Sequence, residues 1–383
     1  MNNITTRRVQ CSFCLEEKTL EKLFVFKKFP VFMGCTKEPL NQDQFADMDF
    51  KICTKCGGVQ LSPYVNPEVV YKAAHGSGTV GKSWNLHHQR FAKFISKYRP
   101  QEIFEIGASH NFLAKKYLES NDTTWNILDP NTSQDNKINE KIKIKKGFFS
   151  KSYKNEKKYE CVVHSHTYEH FINIFEITRK FFNLLEDSGI MIFSVPNLQS
   201  HYEHLYTNVM NFEHSVFLSE NMIDLVLKNA GFIIEEKQYH KNNHSIFYAC
   251  RKNNNLQQYL KYNFYEANKQ CLMNWYNYHS ELARKLNKKI NNLEGKIYLF
   301  GAHVSSQFLI SFGLDTDKIV SILDNDPNKH NTRLYGTRLV CKSPKSELSL
   351  EDGSVILRAG VFSKDIEYEI IKNINKNIKF IKE

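Results

Sequence analysis

Two Cys-x-x-Cys pairs, Cys11/Cys14 and Cys53/Cys56, stand near the front of the chain with about 38 residues between them. Two residues between thiols let one knuckle of backbone present both sulfurs to a single ion. Two such knuckles close a tetrahedral four-thiolate site. The expected metal is zinc in a structural role, because four thiolates leave no position for water or substrate. A redox dithiol is the competing use of such a pair. Further along, FEIGASHNFLAKKY sets Glu105 in a short apolar run, then Gly107, then a helical stretch. A glycine there lets the backbone turn tightly against a ligand, and the helix offers its first amides. There is one glycine where a dinucleotide cradle needs three, which speaks against a pyrophosphate. An acidic residue before the glycine can hold an amino group or order the loop, the arrangement of S-adenosylmethionine (SAM) sites. About two dozen residues on, Asp129 ends NILDPN. A carboxylate there can accept from both ribose hydroxyls; taken alone, Asp129 reads equally well as a turn residue.

Further candidates follow in order. Phe148, in the Gly147–Phe149 segment, falls where a methyltransferase places residues beside adenine, although both phenylalanines also suit a core. VVHSHTYEH ends a strand at His164–His166, and polar residues at the carboxyl end of a parallel strand face the ligand crevice. His164 is therefore a candidate cofactor contact, whereas His170 reads as a helix-surface histidine. Two Glu-His pairs offer a base: Glu203-His204 in HYEHLY and Glu213-His214 in NFEHSV. A neutral imidazole that titrates near working pH can take a proton, and a neighbouring carboxylate can orient it.

These residues need a scaffold, and the chain alternates to supply one. Leu20–Phe32 and Phe50–Leu61 alternate enough for strands around the metal. A helix is expected at about 84–98, closed by Pro100. Strand and helix patterns then interleave: Ile103–Ile106, Asn111–Glu119, Trp125–Leu128, Cys161–His164, Ile172–Leu185 and Ile190–Val195. Such alternation predicts a parallel sheet flanked by helices, with Phe232–Lys237 and Ser245–Cys250 as an antiparallel pair at one edge. KIYLFGAH, SSQFLISFGL, IVSILDNDPNK and SVILRAG repeat the strand–turn–helix pattern near the C-terminus. The fold class is α/β. The expected domains are a zinc-binding lobe (1–75), a SAM-binding Rossmann-like domain (76–252), a linker helix (253–293) and a C-terminal Rossmann-like domain (294–383).

The 383 residues, 41% hydrophobic and 13% aromatic, suffice for more than one core. No stretch approaches twenty apolar residues, so no membrane span is expected. Nine cysteines, behind an opening MNNITTRRVQ that lacks an apolar signal region, lead to the expectation of a reducing cytoplasm. The net charge of +11 admits a zinc-dependent nucleic-acid binder. Against it, Lys and Arg are spread thinly and do not gather beside the cysteines or among aromatic platforms. The modest use of this charge is to attract a phosphorylated small molecule.

The order of motifs resembles the SAM-dependent sugar C-methyltransferases that act on nucleotide-linked deoxysugars in antibiotic and cell-surface polysaccharide pathways. The carriers are Cys11-x-x-Cys14, Cys53-x-x-Cys56-Gly-Gly-Val-Gln, Glu105-Ile-Gly107, NFEHSVFLS at 211–219, YLFGAH and ILDNDPNKH. They cover nearly the whole chain. The resemblance implies a zinc lobe, a central class I methyltransferase domain and a C-terminal Rossmann-like lobe. It implies a nucleotide sugar as acceptor, with neither nucleic acid nor membrane as partner. It also implies His214 as the base beside Glu213, removing a proton next to a keto group; His204 competes for that role. Methylation of a hydroxyl in a sugar or another small molecule is the alternative. The chain departs from the family pattern at Asn211 and Phe212, at Asn111 in the first motif, at Asn242-Asn-His-Ser245 and at Ser305. Asn111 replaces a glycine, and Asn tolerates positive φ better than most residues with side chains.

Overall fold

The computed structural model describes residues 4–71, 82–108, 110–131, 140–150, 152–154, 156–240, 244–255, 261–349, 352–360 and 363–382. Strands β1 (Leu20–Pro30), β2 (Phe45–Cys53) and β3 (Val59–Leu61) form the front sheet. Helix α1 (Lys82–Ser96) leads into β4 (Glu102–Ile106), α2 (Phe112–Leu118), β5 (Thr124–Asp129), β6 (Ile142–Lys146) and β7 (Tyr159–Ser165). Then come α3 (Ile174–Leu184), β8 (Leu185–Pro196), α4 (Leu198–Glu203), β9 (Val216–Phe217), α5 (Glu220–Asn229), β10 (Phe232–His240) and β11 (Ser245–Lys252).

The central sheet has the order β10-β11-β8-β7-β4-β5-β6. From β8 to β6 every neighbour is parallel, while β11 runs antiparallel to both β8 and β10. The parallel strands are apolar on both faces: Ile103, Trp125, Val162, Val163, Met191 and Ile192 are all fully buried. That pattern requires helices on both sides. Chain order reverses on the two sides of β4, so a crevice opens at the carboxyl ends of β4 and β7. The expected antiparallel edge is present. The segment Ile142–Lys146, for which no strand is expected from its lysine-rich sequence, adds the far edge as β6.

The front sheet is not built from the first 75 residues alone. Strand β9 pairs with β3 through Val216↔Gln60 and Phe217↔Val59, so the 211–219 motif completes it. Cys11, Phe13, Cys53 and Cys56 share one hydrophobic cluster with Phe104, Ile106, Leu218 and Met222 of the central unit.

Helix α6 (Tyr265–Asn291) carries Leu272, Trp275, His279, Leu282, Leu286 and Ile290 on its buried face. Its 27 residues account for most of the expected linker. It leads to β12 (Lys296–Phe300), α7 (Val304–Ser311), β13 (Ile319–Leu323), β14 (Cys341–Lys342), β15 (Gly353–Leu357), α8 (Ser363–Asn373) and β16 (Lys379–Ile381). These strands make a separate sheet, parallel throughout, in the order β14-β13-β12-β15-β16. No helix among the described residues is long and apolar enough to cross a membrane.

Candidate active site and metal centre

One cavity of about 1290 Å³ opens at the carboxyl ends of β4, β5 and β7. Small-molecule sites commonly occupy about 300–1,000 Å³, so this space takes more than one modest ligand. One end is lined by Glu105, Gly107, Asp129, Phe148, Ser165 and Thr167. Gly107 has φ +74, and a Cβ there would lie 2.6 Å from the Thr167 side chain. Only glycine fits this turn. The next helix starts at Asn111, whose φ of +60 is the left-handed conformation that Asn tolerates. Glu105 is buried and accepts a 2.7 Å hydrogen bond from Trp125 Nε1. Burial pushes its carboxyl up to about 8, with the Trp125 bond opposing. Asp129 Oδ1 accepts from the Asn131 amide at 2.7 Å, which fixes the carboxylate at the cavity wall. Phe148 is 57% exposed and lines the cavity, whereas Phe149 stacks on Phe181 in the core.

His164 lies elsewhere. Its ring is fully buried and stacks between Phe181 and Phe193, with centroids at 5.1 and 4.8 Å. Side chains alternate along a strand, so β7 gives the cavity Ser165 at its end and His166 just beyond, while His164 points into the core.

The other end of the cavity is lined by Tyr64, Tyr71, Glu169, His170, Asn211, Glu213 and His214. His214 Nδ1 donates to the Val209 carbonyl at 2.8 Å, which leaves Nε2 with its lone pair. Burial lowers its basicity to about 4, so the ring is neutral at physiological pH. His170 Nδ1 pairs with the Tyr71 hydroxyl at 2.8 Å, and the two imidazole centroids are 4.8 Å apart. Asn211 Oδ1 accepts from the amides of Glu213 and His214 at 2.9 and 3.2 Å. The departure from the family pattern at 211 thus holds the turn that carries the Glu-His pair.

His204 caps α4, donates from Nδ1 to the Ser200 carbonyl at 2.8 Å and stacks on Tyr206. It is not among the cavity-lining residues; that helix contributes His201 instead. His170, which reads from sequence as a surface residue, faces the cavity because residues 168–170 form a 3-10 turn just beyond β7. Tyr71 and Glu169 are also site residues that no sequence motif flags.

Residues 84–237 match the family model described as a methyltransferase domain. This segment is a methyltransferase domain. The matched segment runs from α1 into β10 and contains both ends of the cavity, except for the contribution from the front sheet and its neighbours. No curated protein matches the chain. Among solved structures, an O-methyltransferase family protein from Burkholderia thailandensis is similar at 12% identity and TM-score 0.37, over 45% of this chain and 57% of that one. An S-adenosylmethionine-dependent methyltransferase, SibL, is similar at 12% identity and TM-score 0.38, over 44% of this chain and 55% of that one. The match therefore spans little more than half the length of those two proteins.

Outside the matched segment, the chain carries the four-cysteine cluster. Cys11 and Cys56 sulfurs are 3.7 Å apart, as are those of Cys14 and Cys53, and all four lie within 4.8 Å of one another. Tetrahedral bonds of about 2.3 Å place sulfurs about 3.8 Å apart, so the set fits one zinc-sized ion. Amides of Phe13, Lys55 and Gly58 each donate to a cysteine sulfur at 3.4 Å, and Gln60 Nε2 donates to Cys11 Sγ at 3.3 Å. Such donors stabilise thiolates. Gly58 sits in the second knuckle, where a Cβ would strike the Phe13 ring at 2.3 Å.

Proposed function

We propose that this enzyme transfers a methyl group from SAM to a nucleotide-linked sugar, at carbon, in cell-surface glycan or natural-product sugar biosynthesis. The observation that supports it is a single cavity joining a Glu105/Gly107/Asp129 end to a His170/His214/Glu169 end. The first end has the donor set that SAM requires: a backbone turn with no room for a Cβ, one carboxylate at the turn and one for the ribose hydroxyls. Bound there, SAM supplies an electrophilic methyl on a sulfonium. Alignment of the acceptor with that methyl provides much of the rate. The sugar assignment rests on the order of motifs along nearly the whole chain.

On the acceptor side, His214 Nε2 takes the proton from carbon beside a keto group. Val209 holds the tautomer through Nδ1. Glu213 and Tyr71 line the same wall and orient the acceptor. Zinc in the four-cysteine cluster is structural and keeps the front lobe folded. The sugar O-methyltransferase reading is the alternative, since an imidazole at this point deprotonates a hydroxyl as readily.

The test is incubation of purified enzyme with methyl-labelled SAM and a panel of nucleotide 4-keto sugars and their reduced counterparts. Label on carbon in the keto series is expected. Acceptance of reduced sugars alone, with label on oxygen, would leave the O-methyl reading standing and remove the other.

A further inference from the structure

We propose that Glu169, His170 and His214 form a binding site for one divalent transition-metal ion, distinct from the four-cysteine cluster, and that this ion competes with the proton for His214 Nε2. The inference rests on the reading of this cavity end as the acceptor site. Each of the three residues offers a donor atom, and the three donors lie within 4.8 Å of one another. Glu169 is 4% exposed, lines the cavity, and its Oε2 has no hydrogen-bond partner among the described residues. A buried carboxylate oxygen without a partner is costly and marks a place where something else belongs. Its Oε1 lies 3.6 Å from His166 Nδ1.

Both imidazoles are prepared as ligands. The Val209 carbonyl takes the Nδ1 proton of His214, which turns the Nε2 lone pair outward. The Tyr71 oxygen stands 2.8 Å from His170 Nδ1 and fixes that ring. Metal-binding histidines ordinarily carry such a partner on the second nitrogen. Two imidazoles and a carboxylate suit Zn²⁺, Co²⁺, Ni²⁺ or Fe²⁺, whereas Mg²⁺ and Ca²⁺ take oxygen ligands. Glu68 and Glu213 line the same wall, and no Lys or Arg is among the described cavity-lining residues. The local charge favours a cation. Three protein ligands leave coordination positions open to the cavity.

The ion uses the same electron pair that accepts a proton in turnover. An occupied site therefore has no free base at His214, and metal loading lowers the rate.

Zn²⁺ alone is the probe. Purified enzyme, with its tightly held metal intact, is freed of loosely held ions and titrated with Zn²⁺ by calorimetry, with elemental analysis of the product. One further equivalent is expected. Glu169→Gln and His170→Ala should each abolish it while the first equivalent and SAM binding persist, which also shows that the variants are folded. Zn²⁺ should lower turnover of the wild-type enzyme roughly tenfold or more, reversibly with chelator, as expected for an ion that takes a ligand's lone pair. A total of one equivalent in the wild type overturns the proposal, as does a second equivalent that survives both substitutions. Neither result depends on turnover, so a failure to find any methyl acceptor counts against the proposed reaction and not against the ion.

Discussion

The Arg8 guanidinium donates to the Ile172 carbonyl at 2.6 Å and, with its other nitrogens, to the Leu61 carbonyl and the Ser215 hydroxyl at 2.9 Å each. Ile172 lies two residues after His170, and Ser215 directly follows His214. One side chain from the front lobe thus fixes both imidazole-bearing segments. Ser12 reinforces it, donating to the Ile172 carbonyl at 2.7 Å and accepting from the Ile174 amide at 2.8 Å. Arg8→Lys keeps a charge but cannot span three acceptors. The expected result is a fall in kcat of roughly 100-fold, the scale of a displacement near 1 Å at a reacting group. SAM affinity, assigned by the proposal to the other cavity end, should be unchanged by calorimetry. Equal losses in both would show that Arg8 supports the whole fold and not the acceptor side alone.

His214→Ala should lower turnover by roughly 100- to 10,000-fold, the worth of a positioned general base, with SAM affinity intact. His204→Ala is the control, since that ring lies outside the cavity lining and bonds to its own helix. It should keep near-normal turnover. The reverse outcome would move the base to the 201–206 segment.

Asp129→Ala should weaken SAM binding by roughly 1.5–3 kcal/mol through lost hydrogen bonds to a charged group. Isothermal titration reads this directly. An unchanged affinity would make Asp129 a turn residue whose carboxylate serves only the Asn131 amide.

Glu105 gives a pH signature. Its carboxyl is raised from 4.5 to about 8 in the folded protein, chiefly by burial. A raised value means that the folded state holds the proton more tightly than the unfolded chain. Its contribution is fully present below about 4.5 and is lost as pH rises through about 8. Glu105→Gln retains an acceptor for Trp125 and carries no ionisable group. In the ligand-free enzyme, the stability difference between variant and wild type should therefore shift in the variant's favour from pH 6 to about pH 8.5, followed by denaturant midpoints. A difference independent of pH would mean that Glu105 is ionised throughout.

Cys53→Ser should lower both bound metal and stability, because a structural ion contributes its binding energy to folding. Elemental analysis and thermal unfolding check it together. Full metal content in the variant would remove zinc from the cluster.

Much of this protein was readable from local pattern. The convergence of Cys11, Cys14, Cys53 and Cys56 was legible because the Cys-x-x-Cys spacing is set by a few backbone bonds. Glu105, Gly107 and Asp129 were legible because they sit at strand ends, where alternation and one obligatory glycine fix their direction. The same logic failed by one residue at β7: the strand was right, but its pleat turned His164 into the core and left Ser165 and His166 to the cavity. The proposed acceptor side was decided by tertiary structure. Tyr71, Glu169, His170 and His214 come from three separate segments, and no spacing along the chain encodes their meeting. They converge because β9 leaves the central unit to pair with β3, and because Arg8 binds across the gap. A sequence specifies its near neighbours through bond geometry; contacts between distant segments depend on how whole surfaces pack, and that packing determines which histidines face the cavity.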